Sequence, residues 1–194
     1  MTTLCFLAGL VLVACSNPFT PHCEREHVIC EPIDSNLAPG PAIDGLSLYD
    51  NLLWALRTKD IALYGDLIAP DFVFVDEATA TRLTGRQREV EFVKRVFDNS
   101  FYIEVQLDET FGRLSPDEAA GQGCQSACGI IQMSLMLRSD ETVVLVNDET
   151  CLTLCPQRQG DLWHLTRWQV LRSVPTQPGE DEVMESWAAV KEEN

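Results

Sequence analysis

Basic residues are scarce in this sequence of 194 residues. It has 14 lysines and arginines against 30 aspartates and glutamates, which gives a formal net charge of −16. A field of that sign repels phosphate backbones, so nucleic acid is excluded as a partner. The sequence also lacks an internal repeat and an apolar run of membrane-spanning length. With 45% hydrophobic and 23% charged residues, the chain has the composition of one globular domain with extensions.

The N-terminal segment is apolar from Leu4 to Ala14, although it has no basic residue before it. The run is too short to span a bilayer but fits the apolar part of a secretion signal. It ends in Leu-Val-Ala-Cys, which resembles the lipobox of bacterial lipoproteins, with Cys15 at the acylated position. The resemblance implies a signal peptide over residues 1–14 and a membrane anchor through acylated Cys15. Ser16 resembles the sorting signal for the outer membrane, so we expect a lipid-anchored protein of the bacterial cell envelope.

Eight cysteines are present, and Cys5 would leave with the signal peptide while Cys15 carries lipid. The remaining six lie in an oxidising compartment, where an even number of cysteines indicates disulfides. Cys23 and Cys30 flank EREHVI and are predicted to pair locally. The alternative is a metal site that also uses the two histidines of HCEREHVIC.

The other four cysteines lie on or beside two apolar runs, 128–138 and 142–155. A two-residue turn in RSDE aligns these runs as antiparallel strands, with Cys128 opposite Cys151 and Cys124 opposite Cys155. Directly opposed residues are close enough for disulfides, so we predict these two pairs. A bulge at 147–149 would shift the register and favour Cys124–Cys128 and Cys151–Cys155 instead. A zinc site built from all four cysteines is the remaining alternative.

The rest of the chain predicts an α+β order. Residues 15–44 hold three prolines in their second half and indicate a disordered, lipidated and disulfide-looped tether. Ser47 is the predicted N-cap of a first helix, and helices over 59–69 and 86–98 follow, separated by the strand pair FVFVD and TATRL. Only antiparallel strands come after them: 101–111, the cysteine hairpin and 161–171.

The last predicted strand has large apolar side chains on both faces, Trp163 and Leu165 on one and Trp168 and Val170 on the other. Both sides of the sheet must therefore be covered there. Helices can cover one side. A second subunit, in a homodimer, or a short helix in the acidic tail over 175–194 would cover the other.

Two segments carry a family resemblance. LLWALRTKDIALYGDLIAPDFVFVD resembles the opening of SnoaL-like proteins of the nuclear transport factor 2-like superfamily, and GDLWHLTRWQVL resembles their closing strand. The resemblance spans about residues 46–173 and places the domain at 45–174. It implies an α+β cone of three N-terminal helices packed on a curved antiparallel sheet, with a deep pocket. Members include ketosteroid isomerases, dehydratases, epoxide hydrolases and non-catalytic binding or dimerising modules.

Few residues in the predicted domain are candidates for a pocket. His164 is its only histidine, which excludes the two-histidine mechanism of the dehydratases. An isomerase-like site needs a carboxylate base and a hydroxyl donor, for which Asp76, Tyr49 and Tyr64 are the candidates. A strand-end turn for the acid and core packing for the tyrosines explain the same residues. We assign no catalytic residue, no metal and no cofactor.

Three functions therefore remain open. The favoured one is an envelope lipoprotein whose domain binds a small apolar ligand or a protein partner without catalysis, because the sequence does not identify a complete set of catalytic residues. The second is an isomerase or dehydratase-type enzyme acting on a small hydrophobic substrate. The third is a structural dimerisation module, which the doubly apolar final strand favours.

Overall fold

The computed structural model describes residues 39–107, 113–121, 123–139, 142–157, 162–176, 178 and 182–193. All of them belong to one compact unit, 34–194. The described residues form four helices and eight strands in a mixed α+β fold: α1 (Gly45–Thr58), α2 (Ile61–Leu67), β1 (Ile68–Asp76), β2 (Thr81–Thr84), α3 (Arg86–Asn99), β3 (Ser100–Leu107), β4 (Ser115–Pro116), β5 (Gln125–Leu137), β6 (Val143–Pro156), β7 (Trp163–Ser173), β8 (Glu182–Glu185) and α4 (Trp187–Glu193). The predicted signal peptide, Cys15, the Cys23–Cys30 pair and most of the tether lie outside the described residues.

The first helix begins one turn earlier than predicted. Asp44, not Ser47, is its N-cap, and its Oδ1 accepts the backbone N–H of Ser47 at 2.8 Å. The Ser47 hydroxyl in turn accepts the backbone N–H of Asp44 at 3.1 Å, which completes a reciprocal capping box. The prediction of Ser47 as the N-cap is therefore wrong, although Ser47 is the N3 residue of the same capping box.

The second and third helices lie where the periodicity predicts them. Asp60 caps α2 by accepting the backbone N–H of Leu63 at 3.0 Å. The helix ends at Leu67 and the chain enters β1 before Pro70, a residue that helix interiors exclude. Apolar side chains of α3 are buried against the core, with Val93 and Val96 fully enclosed.

The sheet is curved and unclosed, with strand order β2-β1-β7-β6-β5-β3; β4 pairs with β5 and β8 with β6. The prediction of an antiparallel sheet is wrong at two pairings, because β1 runs parallel to β7 and β8 runs parallel to β6. Hairpins force neighbouring strands to be antiparallel, whereas β1 and β7 are joined through α3 and several strands. The alternation of apolar and polar residues within one strand carries no information on such a distant pairing.

The cysteine hairpin has the predicted register. Strand β5 pairs with β6 without a shift from Gln125↔Leu154 to Met136↔Val143, with Cys128 opposite Cys151 and Gln132 opposite Asn147. No bulge interrupts this ladder at 147–149. The structure contains the two cross-strand disulfides of that register, Cys124–Cys155 and Cys128–Cys151. The inward face carries alternating apolar side chains that are nearly inaccessible to solvent: Ile131, Met133, Leu135, Val144 and Val146.

Strand β3 departs from the predicted alternation at its start. Strict alternation through the predicted strand 101–111 places Phe101 on the same face as Ile103 and Val105, yet 48% of its surface is exposed while theirs is at most 4%. The β3–β5 ladder shifts register between Ser100 and Tyr102, and such an irregularity breaks the two-residue period. The guanidinium of Arg138 lies 5.0 Å from the Phe101 ring centroid and covers part of the exposed ring.

A second irregularity explains the doubly apolar final strand. Leu165, Trp168 and Val170 were predicted on opposite faces, but all three are buried. In the β6–β7 ladder the pair Leu154↔Leu165 is followed by Thr153↔Arg167, so Thr166 is the extra residue of a bulge. The bulge shifts the alternation by one position and brings Trp168 and Val170 to the same side as Leu165. This side is covered by α4, whose Trp187 stacks on Trp168 with ring centroids 6.2 Å apart.

Candidate functional site

The C-terminal helix α4 lies in the interior of the domain. Its apolar face is fully enclosed, with Trp187, Ala188 and Val190 at no more than 1% exposure. The preceding strand β8 pairs with β6, and the carboxylate of Asp148 on β6 accepts the backbone N–H of Trp187 at 2.9 Å. The acidic tail therefore ends in a segment that contributes to the core.

A buried ion pair joins this helix to α3. Nζ of Lys191 lies 2.6 Å from Oε1 of Glu89, and both side chains are 0% exposed. The hydroxyl of Tyr64 on α2 donates to the same oxygen at 2.7 Å. We call Tyr64, Glu89 and Lys191 the interior ion-pair cluster. A carboxylate this deeply buried requires a cationic or hydrogen-bonded partner, and here it has both.

Aromatic rings enclose the ammonium group of the cluster. Nζ of Lys191 lies 3.9 Å from the centroid of Phe74, 5.5 Å from that of Trp168 and 5.3 Å from that of Trp187. Phe74 and Trp168 are neighbours across the parallel β1–β7 ladder, so the sheet itself builds this wall. Aromatic faces attract cations at such distances, most strongly where water is excluded. The site is therefore an aromatic cage with one carboxylate, occupied by a lysine of the same chain.

Burial sets the protonation behaviour of the cluster. It lowers the pKa of Lys191, and the charge of Glu89 and its hydrogen bond oppose that shift without cancelling it. Burial, the negative charge of Glu89 and the hydrogen bond to it together raise the pKa of Tyr64 well above its ordinary value. Tyr64 is therefore held as a neutral hydrogen-bond donor and is unsuited to act as a base.

Two further carboxylates are buried on β1 and β6. Asp76 ends β1, where its Oδ1 accepts the backbone N–H groups of Ala78 and Thr79 at 2.8 and 3.2 Å. Asp148 accepts the hydroxyl of Ser173 at 2.7 Å in addition to its contact with α4. Burial raises the pKa of Asp148; its hydrogen bonds oppose the shift and the charge of Asp76 adds to it. Asp76 holds the turn after β1, and Asp148 fastens the tail.

Several buried polar atoms have no hydrogen-bond partner among the described side chains. They are Oδ2 of Asp76, Oε2 of Glu89, Oδ1 of Asn147, Oγ1 of Thr150 and the indole nitrogens of Trp168 and Trp187. Buried polar groups in folded proteins are almost always paired with protein or water. The interior thus combines aromatic walls with unsatisfied donors and acceptors, and it is not a purely aliphatic core.

The candidates named from the sequence do not converge on one point. Asp76 and Tyr64 are both fully buried, and Tyr49 is buried on α1. His164 on β7 lies opposite Cys155 of β6, whereas Asp76 on β1 lies beside Val170, a later residue of β7. Six residues of strand separate these two levels, roughly 20 Å at ordinary strand rise. Burial and the charge of Arg86 lower the pKa of His164, with Asp66 opposing.

Sequence reasoning missed Glu89, Lys191, Trp168 and Asp148 as site residues. A signal for two of them was present. Glu89 lies one helical turn before Val93 on the buried face of α3, and Lys191 lies one turn after Trp187 on α4. A charged residue at a core position of a helix indicates a buried partner.

The rest of the described surface and interior provides no second candidate site. A depression of about 450 Å³ at the β4–β5 connection is lined by Pro116, Asp117, Glu118, Gly121, Gly123 and Cys124. None of the described histidine, cysteine, aspartate and glutamate side chains form a group of three that could hold a metal ion. Within the same ranges, every helix is too short or too polar to cross a membrane.

Comparison with known proteins places the chain in a family. The SnoaL-like domain matches residues 46–150, which is 105 of the 194 residues. The chain belongs to the SnoaL-like family. No curated protein matches it.

Solved structures share its fold at low sequence identity. A nuclear transport factor 2-like superfamily protein from Salmonella enterica is 13% identical, with a TM-score of 0.55 over 70% of this chain and 92% of its own. A conserved protein from Planctomyces limnophilus is 16% identical, with a TM-score of 0.53 over 66% and 93%. A hexachlorocyclohexane dehydrochlorinase from Novosphingobium barchaimii is 12% identical, with a TM-score of 0.50 over 66% and 85%. At these identities the likeness establishes the fold alone.

Proposed function

We propose that the chain is a cell-envelope lipoprotein whose SnoaL-like domain binds a small apolar ligand or a protein partner without catalysing a reaction. The lipobox-like sequence ending at Cys15 supports lipid anchoring at the outer membrane. The proline-containing segment after it supports a tether between membrane and domain. We infer that the three N-terminal helices and the curved sheet enclose the binding region as a cone.

The observation that carries this proposal is that each buried carboxylate among the described residues makes a structural contact. Glu89 pairs with Lys191 and Tyr64, Asp148 fastens α4, and Asp76 holds the turn after β1. A general base must reach a substrate proton directly or through one water. These carboxylates instead hold structure together, beneath a helix that closes the interior.

The test is native mass spectrometry of the protein extracted from membranes with mild detergent. We expect a mature chain that begins at Cys15 and carries acyl groups, with a retained molecule or partner. That molecule should keep its mass on prolonged incubation with fresh protein. An intact Met1 with a free Cys15 thiol would contradict the anchoring. Conversion of the molecule by the wild type, lost in Asp76→Asn, would contradict the absence of catalysis.

An isomerase or dehydratase-type enzyme is the second candidate, and one observation favours it. Oδ2 of Asp76 is buried without a partner, and the nearby Asp148 carboxyl has a raised pKa. Paired carboxylates in different environments can divide the roles of base and acid. This function requires α4 to leave the interior first. The conversion assay with Asp76→Asn decides between the two candidates, because that variant keeps the turn-holding acceptor while removing the charge.

A further inference from the structure

The interior holds a cation next to a flat aromatic ring, and both groups come from the C-terminal helix α4. The carboxylate of Glu89 and the rings of Phe74 and Trp168 come from α3, β1 and β7. The ammonium of Lys191 and the indole of Trp187 come from α4. The receptor and its occupant thus belong to different parts of the chain, and the occupant is the C-terminal helix.

We propose that the interior is a binding site for an aromatic primary amine, in which α4 acts as an intramolecular stand-in for the ligand. The ammonium of the ligand takes the place of Nζ of Lys191 on Glu89 and against Phe74. Its aromatic ring takes the place of the Trp187 indole on Trp168. This inference rests on the proposed function and deepens it: the ligand carries one ammonium charge on an otherwise apolar, aromatic body.

The distances define the shape of the ligand. Nζ of Lys191 lies 5.3 Å from the centroid of the Trp187 ring, and that ring lies 6.2 Å from the centroid of Trp168. An ammonium joined to an aromatic ring by two carbon atoms spans a comparable separation. A phenethylammonium ion therefore presents the charge and the ring in the arrangement that α4 presents them.

The tail leaves part of the site unsatisfied. Both Lys191 and Tyr64 bind Oε1 of Glu89, while Oε2 is buried without a partner. An ammonium group has three donors and, on a free ligand, can turn to use both oxygens. Carboxylate–ammonium hydrogen bonds are stronger than neutral ones, so a second donor to Oε2 favours the ligand over the tethered lysine.

The helix is built so that it can be displaced. Isolated helices shorter than about 12–15 residues are marginal in water, and α4 has 7. Its release would break the contact of the Trp187 backbone N–H with Asp148 and the ion pair of Lys191 with Glu89. A tethered occupant competes at an effective concentration on the order of millimolar, so a free amine must reach or exceed that range.

The experiment uses the full chain and measures amine binding and tail release together. Phenethylammonium is titrated calorimetrically into the wild type, with phenethyl alcohol as the uncharged probe. Hydrogen–deuterium exchange of residues 187–193 is followed in parallel. We expect the amine to bind and to accelerate exchange in α4, and the alcohol to do neither. In a Lys191→Ala background, where no lysine competes for the carboxylate, Glu89→Gln should weaken amine binding at least about tenfold, while Glu91→Gln on the exposed side of α3 should leave it unchanged.

A cavity variant tests the cage independently of tail release. In Lys191→Ala, n-butylammonium should raise the midpoint of thermal unfolding, and 1-butanol should not. The effect should vanish in the double variant with Glu89→Gln. Absence of amine binding to the wild type, or binding without faster exchange in α4, overturns the proposal. Equal rescue of Lys191→Ala by the alcohol overturns it as well.

These outcomes are distinct from failure of the proposed function. If the wild type binds phenethyl alcohol and not the amine, the ligand class is wrong while binding without catalysis stands. If a bound molecule is chemically converted and Asp76→Asn abolishes the conversion, the proposed function fails whichever class of molecule binds.

Discussion

Lys191→Met is the most informative single change for the stability of the domain. Methionine keeps an unbranched side chain of similar length and removes the charge, so Glu89 is left buried without its cation. Removing one partner of a buried ion pair costs about 3–5 kcal/mol, because the remaining charge is uncompensated. For a domain of this size each kcal/mol lowers Tm by about 2–4 °C, so we expect a drop of about 6–20 °C.

The same reasoning makes a sharper claim about the double variant. Glu89→Gln alone should also destabilise, because it leaves the Lys191 ammonium buried among aromatic rings. Glu89→Gln combined with Lys191→Met removes both charges, and such replacements are often close to neutral. The double variant should therefore be more stable than the sum of the two single losses predicts.

Urea unfolding of the disulfide-intact protein, followed by tryptophan fluorescence, measures these free energies. Lys94→Met is the matched control, because Lys94 pairs with Asp98 on α3 with both side chains more than half exposed. Exposed pairs contribute about 0–1 kcal/mol. The reasoning is refuted if Lys191→Met costs no more than Lys94→Met, or if the losses in the double variant add.

Three further predictions concern the surroundings of the cluster. Burial raises the folded-state pKa of Asp148 above 3.8, so between the unfolded-state and folded-state pKa values the folded state keeps a proton that the unfolded state has lost. The free energy of unfolding should therefore fall as pH rises through this range. Asp148→Asn should reduce that fall when unfolding is measured as a function of pH. Tyr64→Phe removes a hydrogen-bond donor to the charged Glu89 and should lower the free energy of unfolding by about 1.5–3 kcal/mol. An unchanged urea midpoint would contradict this. Replacing the Cys124–Cys155 pair by serines should cost about 3–4 kcal/mol if loop closure dominates, and the nested Cys128–Cys151 pair less; equal or negligible losses in thermal unfolding would count against that model.

Local patterns in the sequence predicted much of the fold. The helices follow from their apolar periodicity, and the β5–β6 register follows from two cysteine pairs and one tight turn. Both kinds of signal act between residues close in sequence or joined by a hairpin. Where pairing is distant, as between β1 and β7, local patterns carry no information on the relative direction of the strands, and the parallel arrangement was missed.

The errors on individual strands have a common cause. Phe101 and Leu165 were assigned to faces by strict alternation, and in each case a bulge shifted the period by one residue. Bulges depend on the partner strand and its twist, which the alternation of a single strand does not record. The residue type of Thr166, the bulged residue in β7, does not mark it as a bulge position.

The site was harder to predict than the fold because its halves are distant. Glu89 and Lys191 are separated by 102 positions, and each alone is an ordinary charged residue on a helix. Lys191 also lies in the tail, for which the sequence predicted a short helix against the sheet but no role for its charged residues. A charge on the buried face of α3 was the available clue, and it indicates a partner without identifying it.

The measurement that tests the central claim most directly is acetylation of lysines in the native protein. The sequence contains three lysines, Lys59, Lys94 and Lys191. Acetic anhydride is added in small amounts, and modification at each lysine is measured by mass spectrometry, with the denatured chain as reference. Because Lys191 is 0% exposed and Lys94 is 57% exposed, Lys94 should react far faster in the native protein and at a similar rate after denaturation. Equal native reactivity of the two lysines would show that α4 does not occupy the interior.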